Sequence, residues 1–406
     1  MDTENRTEYS VGEILRCWGP AYSRSHPVPD HQRRAIQALA DCRTDALGGH
    51  LERCDQCGFE RPVYNSCGNR NCPTCQGKLA RKWLAERLDD LLNTPYFHCV
   101  FTIPDTFNPL VLCNETTIYN ALFKASSETL SRFGRKKLKG RLGMVAALHT
   151  WGQTLWLHPH VHFIVTGGAL SDDLSQWRSS GPDFLFDVFE LSREFRKRFC
   201  RILRRAELVF RGDAAPFVDR SRFEAFLDGQ EAREWVVHAK RPFAGPRQVL
   251  EYISRYTHRV AISNRRITDV DEDGSVTFTW KDYRHADPDG RAPEKSMTLA
   301  ASDFIGRFLR HILPKGFRKI RSYGILAGCH KAKKLAAARE LLGPAELPDE
   351  PDDSEESEES EESGSGEPTP CPKCESGAMR PAGPIPRERP PPAVAPWNRP
   401  TTPKAA

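Results

Sequence analysis

Apolar residues recur along the chain with helix-like and strand-like spacing in alternating stretches. Over Lys78–Leu92 and over residues 115–133 they return every three or four positions, which predicts helices. Tyr96–Ile103 is a short apolar run of the kind found in buried strands. Met144–Thr150 and His158–Thr166 predict two further strands, which a short connection joins.

The rest of the chain continues this mixture of elements. The further predicted elements are a helix near 190–209, a strand at Trp235–Ala239, a helix at Gln248–Thr257, a short β-type run at Val260–Ser263, a strand at Val276–Trp280 after an Asp273-Gly274 turn, and a helix at Lys331–Leu342. Together the elements predict an α+β fold, and 406 residues allow two or three domains.

Beyond Gly343 the sequence changes to Ser-Glu-Glu repeats and then to a proline-rich stretch. It has too few apolar residues for a core, so residues 344–406 are predicted to form a disordered tail. Eleven acidic residues and no basic ones lie between Glu346 and Glu362. Removing these eleven charges from the net charge of +5 leaves +16 on the remainder, which suits a phosphate-rich partner.

The sequence has no run of 18 apolar residues, and its first ten residues are polar and acidic. We therefore expect no signal peptide, no membrane partner and a cytoplasmic location. The 13 cysteines are odd in number and tightly clustered, which in that compartment indicates metal binding rather than disulfides.

Two Cys-x-x-Cys pairs lie 14 residues apart: Cys54 with Cys57, and Cys72 with Cys75. Such pairs at this spacing predict one tetrahedral Zn²⁺ bound by four thiolates. Because a closed site leaves no position for a substrate, this zinc is expected to be structural. It would organise a small zinc-binding, DNA-binding domain over residues 12–92.

A second zinc site near the first is a weaker hypothesis. Its candidate ligands are Cys42, His50 and Cys67, with His31 as the available fourth residue. Buried core cysteines explain the same residues equally well. The Cys371/Cys374 pair in the tail is a weaker signal still.

His160 and His162 are two residues apart on a predicted strand, so both side chains point to one face. Histidines in this position either hydrogen-bond to neighbours or bind a metal. In an antiparallel pairing with the preceding strand, Gln153 is the predicted third ligand, and His149 and His158 compete with it. Two imidazoles and one oxygen suit Mg²⁺ or Mn²⁺ acting as a Lewis acid on a phosphate.

Tyr252 and Tyr256 are four residues apart on a predicted helix, so both phenols can reach one site. Such a pair is also typical of amphipathic packing. Cations close to it in the sequence suit a phosphate substrate and favour the phenolate. The candidate DNA-binding residues are Lys240, Arg241, Arg255, Arg259, Arg265 and Arg266.

A metal-polarised phosphodiester and a tyrosine nucleophile together predict DNA strand cleavage through a covalent phosphotyrosine. The ester conserves the energy of the broken bond, so the strand can be rejoined elsewhere. Two tyrosines allow two such cuts.

Several ordered motifs closely resemble the transposases of insertion-sequence family 91. Among them are CRTDALGGHLERCDQCG, YNSCGNRNCPTCQGK, LHTWGQTLWLHPHVH and YISRYTHRVAISNRR. The resemblance spans about residues 12–343. It implies that His160 and His162 form an HUH metal motif and that Tyr252 and Tyr256 are the paired tyrosines of a rolling-circle transposase. Gln153 then occupies the position of an upstream third ligand.

The resemblance also implies a palm-like antiparallel sheet flanked by helices in a catalytic domain over residues 93–343. Its implied reaction is cleavage of single-stranded DNA at element ends through 5′-phosphotyrosine intermediates, followed by transfer into target DNA. The sequence has no GxxxxGK[ST] phosphate loop, so strand separation is expected to depend on supercoiling, replication or a host helicase.

One departure from the family concerns Asn71, which stands where the family usually has a histidine. This argues against a second zinc site. A plasmid replication initiator or a conjugative relaxase would share the nicking chemistry. A non-enzymatic zinc protein that binds DNA, with the histidines and tyrosines in its core, is the alternative from another class.

Overall fold

The computed structural model describes residues 9–86, 90–181, 185–240, 258–287, 291–344 and 369–387. Its helices are α1 (Val11–Ser25), α2 (Asp30–Ala40), α3 (Gln76–Ala85), α4 (Asn108–Cys113), α5 (Glu115–Lys137), α6 (Val188–Arg204), α7 (Arg220–Ala232), α8 (Ala301–Leu309) and α9 (Lys331–Leu342). Its strands are β1 (Gly49–Cys54), β2 (Glu60–Tyr64), β3 (Tyr96–Thr102), β4 (Arg141–Trp151), β5 (Leu157–Leu170), β6 (Trp177–Ser179), β7 (Val237–Lys240), β8 (Ile267–Val270), β9 (Ser275–Lys281), β10 (Glu294–Ala300), β11 (Ile320–Gly324) and β12 (Met379–Ile385).

The largest sheet is antiparallel and has the strand order β11-β4-β5-β3-β7, with β6 paired to the end of β5. Alternate residues of its central strands, such as Phe101, Phe163 and Leu148, are fully buried in the main core. Helices α5 and α6 pack against this face. Because strand side chains alternate, the residues between these apolar ones point to the opposite face of the sheet.

A second core joins the N-terminal helices to the region after residue 258. Helices α1, α2 and α8 share it with the three-stranded sheet β10-β9-β8. Polar contacts support the packing: the amide of Gln32 donates to the carbonyl of Leu309 at 2.9 Å. Gly274, with φ of +83°, makes the turn between β8 and β9, where a residue with a Cβ is strained.

The third sheet has the order β12-β1-β2. Strand β12 comes from the predicted disordered tail, and residues 369–387 therefore depart from that prediction. Cys371 and Met379 are buried, with 1% and 4% of their surfaces exposed, so this short segment has an apolar anchor that its overall composition conceals.

Most predicted elements are confirmed, including the mixed α+β class, the helix at α5, the strands β3, β4, β5 and β9, and the helix α9. The predicted β-type run at Val260–Ser263 is wrong, because it forms no strand and instead buries Ala261 and Ile262 in the second core. The predicted helix at Gln248–Thr257 lies outside the described residues. Among the described residues, no helix is both long and apolar enough to cross a membrane.

Candidate functional site

Three histidines meet on the sheet face that α5 and α6 leave uncovered. His149 of β4 lies directly opposite His160 of β5, and Ala147 lies opposite His162. Residues opposite each other in an antiparallel pair share a face, so this register places all three imidazoles together. One ring nitrogen from each of His149, His160 and His162 lies within 4.8 Å of the others, and we call these residues the histidine triad. That spacing allows all three nitrogens to bind one metal ion.

Hydrogen bonds orient two rings of the triad. Nδ1 of His160 lies 2.7 Å from the carbonyl oxygen of His158, to which it donates. This leaves Nε2 of His160 as the lone-pair nitrogen, the arrangement that metal-bound histidines adopt. Nδ1 of His162 lies 2.8 Å from Nε2 of His98, and the two rings stack with an interplanar angle of 3°. This contact fixes the orientation of the His162 ring.

Two members of the triad, His160 and His162, are neutral at physiological pH. Burial, with a smaller contribution from nearby positive charge, lowers the pKa of His160 to about 3. Burial also lowers the pKa of His162 well below its ordinary value, and the neighbouring His149 adds to this effect. Because only a neutral imidazole can bind a metal ion, both residues are prepared for that role.

The structure brings His149, rather than the predicted Gln153, to the histidine pair. β4 ends at Trp151, and its register shifts between His149 and Trp151, so Gln153 lies in the connection beyond the pairing. The side-chain oxygen of Gln153 instead accepts a hydrogen bond from the backbone N–H of Lys281 at 3.4 Å. His158, the other competing ligand, is exposed and contributes its carbonyl oxygen.

The predicted nucleophiles Tyr252 and Tyr256 lie outside the described residues, as do Arg241 and Arg255. Lys240 ends β7 and pairs with His98, next to the triad. Arg265 is exposed.

Arg266, a predicted DNA-binding residue, makes contacts within the protein. Its Nε donates to the carbonyl of Thr279 at 2.7 Å, and its Nη2 donates to the carbonyl of Gln153. Its guanidinium also lies over the ring of Phe278, and burial lowers its pKa to about 10.

The cysteines form two clusters of four, and neither is the predicted set of Cys54, Cys57, Cys72 and Cys75. One cluster consists of Cys42, Cys67, Cys72 and Cys75, and the other consists of Cys54, Cys57, Cys371 and Cys374. The predicted set is wrong because the loop after β2 carries Cys72 and Cys75 to the end of α2, where Cys42 lies.

Distances in the first cluster fit a tetrahedral zinc site. Sγ of Cys42 lies 3.6 Å from Sγ of Cys75 and 3.6 Å from Sγ of Cys72, and Cys67 lies 3.6 Å from Cys75. Four thiolates about 2.3 Å from one zinc ion are separated by about 3.8 Å. His50 is not a member, because its Nε2 faces the carboxylate of Glu52 at 3.5 Å. His31 belongs to neither cluster in the described part of the chain.

Two family models match the chain. The model described as "Transposase zinc-binding domain" (Zn_Tnp_IS91) matches residues 14–103, and the model described as "Putative transposase" (Y2_Tnp) matches residues 143–334. A relative named "Putative transposase y4qJ", from Sinorhizobium fredii (strain NBRC 101917 / NGR234), is 44% identical over 383 residues, which are 92% of this chain and 95% of the relative. The chain belongs to the IS91 family of transposases.

A second relative is the "Transposase for insertion sequence element IS801" from Pseudomonas savastanoi pv. phaseolicola. It is 27% identical over 322 residues, which are 77% of this chain and 74% of the relative. Membership in the family makes this protein an enzyme of DNA transposition, which cleaves and transfers DNA strands. The zinc-binding match and the cysteine clusters together support structural Zn²⁺.

In this IS91-family protein, Lys319 connects the end of strand β4 to the segment that follows the predicted tyrosines. Its ammonium donates to the carbonyl of Arg259 at 2.6 Å and lies 5.1 Å from the ring centroid of Trp151. Burial lowers the pKa of Lys319 to about 7, and the nearby charge of Arg70 contributes. No sequence motif distinguished Lys319 from other lysines, because its role depends on contacts with distant residues.

Trp156 is a second residue that the sequence did not single out. It lies in the β4–β5 connection with 54% of its surface exposed. The guanidinium carbon of Arg307 is 4.5 Å from its ring centroid, and that of Arg310 is 5.9 Å away. An exposed aromatic ring beside cations is typical of surfaces on which single-stranded nucleic acid stacks its bases. The signal available in the sequence was a tryptophan four residues before His160.

Proposed function

We propose that this transposase cleaves and rejoins single-stranded DNA at the ends of its insertion sequence, with Tyr252 and Tyr256 as nucleophiles. The histidine triad would hold the metal ion, and the covalent intermediates would be 5′-phosphotyrosines in a rolling-circle type of transposition. The triad is the observation that carries the proposal. It places three imidazoles, those of His160 and His162 being neutral, on the sheet face opposite to α5 and α6.

Chain connectivity supports a place for the tyrosines near the triad. Tyr256 precedes His258 by two residues, which limits the separation of their Cα atoms to about 7 Å. Arg259 lies close to the triad, since its charge adds to burial in lowering the pKa of His160. Lys319 holds the carbonyl of Arg259 at 2.6 Å and so fixes the chain just after the tyrosines.

The proposed reaction is a pair of transesterifications. One tyrosine gives up its phenolic proton, and its oxygen attacks the phosphorus. The bond from phosphorus to the 3′ oxygen breaks, and that oxygen takes up a proton to give a free 3′-hydroxyl. Rejoining reverses these steps on a new 3′-hydroxyl and regenerates the phenol. Arg259 would provide positive charge for the phosphate in both directions.

The residues of the triad fit a catalytic divalent cation. An ion held there would polarise the phosphate as a Lewis acid. Three nitrogen ligands suit Mn²⁺ better than Mg²⁺, which prefers oxygen. With His149 rather than Gln153 as the third ligand, Mn²⁺ is the expected cofactor.

We assign the parts of the chain as follows. Residues 12–92 form the zinc-binding domain that recognises DNA, and residues 93–343 form the catalytic domain. The partners are single-stranded element ends and target DNA. Strand separation would come from replication or a host helicase.

A covalent-adduct assay tests the proposal. Wild-type protein with Mn²⁺ and a single-stranded element end should give a protein–DNA adduct that survives denaturation. His160→Ala should abolish it, whereas His330→Ala, which removes an exposed histidine, should not. Tyr252→Phe/Tyr256→Phe should also give none. An adduct from the double tyrosine variant, or none from the wild type, would refute the tyrosine mechanism.

A further inference from the structure

We propose that Cys54, Cys57, Cys371 and Cys374 bind a second structural Zn²⁺, which fastens the C-terminal arm (residues 369–387) to the zinc-binding domain. Cys371 and Cys374 lie outside both family matches, which cover residues 14–103 and 143–334. The inference is independent of the tyrosine chemistry.

The sulfur geometry of this cluster indicates metal binding. Sγ of Cys54 lies 3.7 Å from Sγ of Cys374, and Sγ of Cys57 lies 3.6 Å from Sγ of Cys371. Four thiolates on one tetrahedral zinc are about 3.8 Å apart, whereas the sulfurs of a disulfide are about 2.05 Å apart. The distances match those of the first cluster, which lies within the family match for zinc binding.

Backbone N–H groups around the cluster favour thiolates. Those of Gln56 and Cys57 both point to Sγ of Cys54 at 3.4 Å, and that of Lys373 points to Sγ of Cys371 at 3.4 Å. Such bonds stabilise the charged form that zinc requires. Each Cys-x-x-Cys pair therefore has the same arrangement, although more than 300 residues separate the two pairs in the sequence.

The C-terminal arm packs directly against the Cys54/Cys57 pair. A Cβ on Gly377 would lie 2.5 Å from Sγ of Cys54, so the backbone approaches the sulfur as only glycine allows. Asp55 joins the two pairs: its Oδ1 accepts from the N–H of Ala378 at 2.9 Å, and its own N–H donates to the carbonyl of Ala378 at 3.1 Å.

Strand pairing continues the contact away from the cluster. Strand β12 pairs with β1 from Cys54↔Met379 to Gly49↔Ile385. A short edge strand is marginal by itself, whereas a zinc ion that binds residues of both segments contributes free energy only when they are together. Zinc is therefore expected to decide whether the arm stays attached.

Metal content of the purified full-length chain tests the inference. We expect two zinc ions per wild-type chain and one per chain of Cys371→Ser/Cys374→Ser. Cys72→Ser/Cys75→Ser, which alters the other cluster, should also retain one. Two ions, or none, in the Cys371→Ser/Cys374→Ser variant would overturn the proposal. Titration of the unreduced, denatured wild type should find all 13 thiols, and fewer would indicate a disulfide instead.

Two glycines of the arm give a matched comparison. Gly377→Ala should lose one zinc ion, because the added methyl group meets Sγ of Cys54. Gly383→Ala should keep both, since a Cβ there meets no atom within 4 Å. Equal zinc contents in these two variants would contradict the proposed packing.

A cleavage experiment tests the fastening itself. A protease site is inserted between residues 344 and 369, and the cut chain is analysed by gel filtration. The arm should elute with the body in the wild type and separate from it in Cys371→Ser/Cys374→Ser. Separation in both, or in neither, would refute zinc-dependent attachment.

Discussion

Replacement of His149 tests the composition of the histidine triad most directly. His149→Phe removes the ring nitrogen and keeps an aromatic ring of similar size. This preserves the packing of a residue that is only 2% exposed and stacks on Trp151 with ring centroids 4.6 Å apart. The substitution should therefore remove a metal ligand with little effect on folding.

The magnitude follows from the role of a direct ligand. Changes in residues that merely orient a ligand cost about 10–100-fold in metal affinity or activity. Loss of one of three protein ligands should exceed that range, so we expect adduct formation to slow at least ~100-fold. This corresponds to about 2.7 kcal/mol, since each factor of ten is about 1.36 kcal/mol. Higher Mn²⁺ concentrations should restore part of the rate.

Gln153→Ala is the matched control. Its hydrogen bond to the backbone of Lys281 is long, at 3.4 Å, and lies away from the triad. We expect the rate of this variant to stay within about threefold of wild type, because such a bond contributes about 0.5–1.5 kcal/mol to stability and none to metal binding. The assay is the initial rate of adduct formation as Mn²⁺ is titrated. If Gln153→Ala is the slower variant, the assignment of His149 is wrong.

Three further predictions concern residues outside the triad. Lys319→Met should slow adduct formation about tenfold, because the carbonyl of Arg259 loses a hydrogen bond worth about 1.5 kcal/mol, and it should lower the free energy of unfolding by a similar amount. An equal slowing by Lys315→Met, which alters an exposed lysine, would contradict this. Trp156→Ala should weaken the binding of single-stranded DNA by about 1–3 kcal/mol, as measured by fluorescence anisotropy, whereas Trp156→Phe should keep the wild-type affinity. Equal affinities of the Ala and Phe variants would exclude base stacking. Burial lowers the pKa of His311 to about 4, so the unfolded state binds more protons than the folded state between about pH 6.5 and pH 4. As the pH falls through that window, the free energy of unfolding should decrease by an amount on the order of 3 kcal/mol. His311→Gln should lack this decrease. Urea unfolding at several pH values measures it, and identical pH dependence in both proteins would refute it.

Local periodicity was sufficient to predict the elements that build the central sheet. Strands β3, β4 and β5 carry apolar residues at alternate positions, and that pattern depends only on which face meets the core. It was insufficient at Val260–Ser263, where the buried Ala261 and Ile262 fill the second core without strand pairing. A short apolar run reports burial and does not determine backbone conformation.

The identity of the third residue in the triad depends on the register between β4 and β5, which the sequence alone does not determine. A shift of one residue in an antiparallel pair moves every side chain to the other face. The observed register sets His149 opposite His160, and the irregularity before Trp151 removes Gln153 from the ladder. The choice between His149 and Gln153 was therefore a question about pairing, which spacing along one strand cannot answer.

The cysteine sites show a related limit of sequence spacing. Two neighbouring Cys-x-x-Cys pairs were assigned to one ion, yet each pair completes its cluster with more distant cysteines. Asn71, which argued against a second zinc site in the sequence, lies in the loop of the first cluster, where its N–H donates to the side chain of Asn69 at 2.9 Å. Cys42 and Cys67 complete the first cluster, and Cys54 and Cys57 lie with Cys371 and Cys374 in the second. Which cysteines share a cluster is therefore decided by tertiary contacts between distant segments, which spacing along the chain does not show.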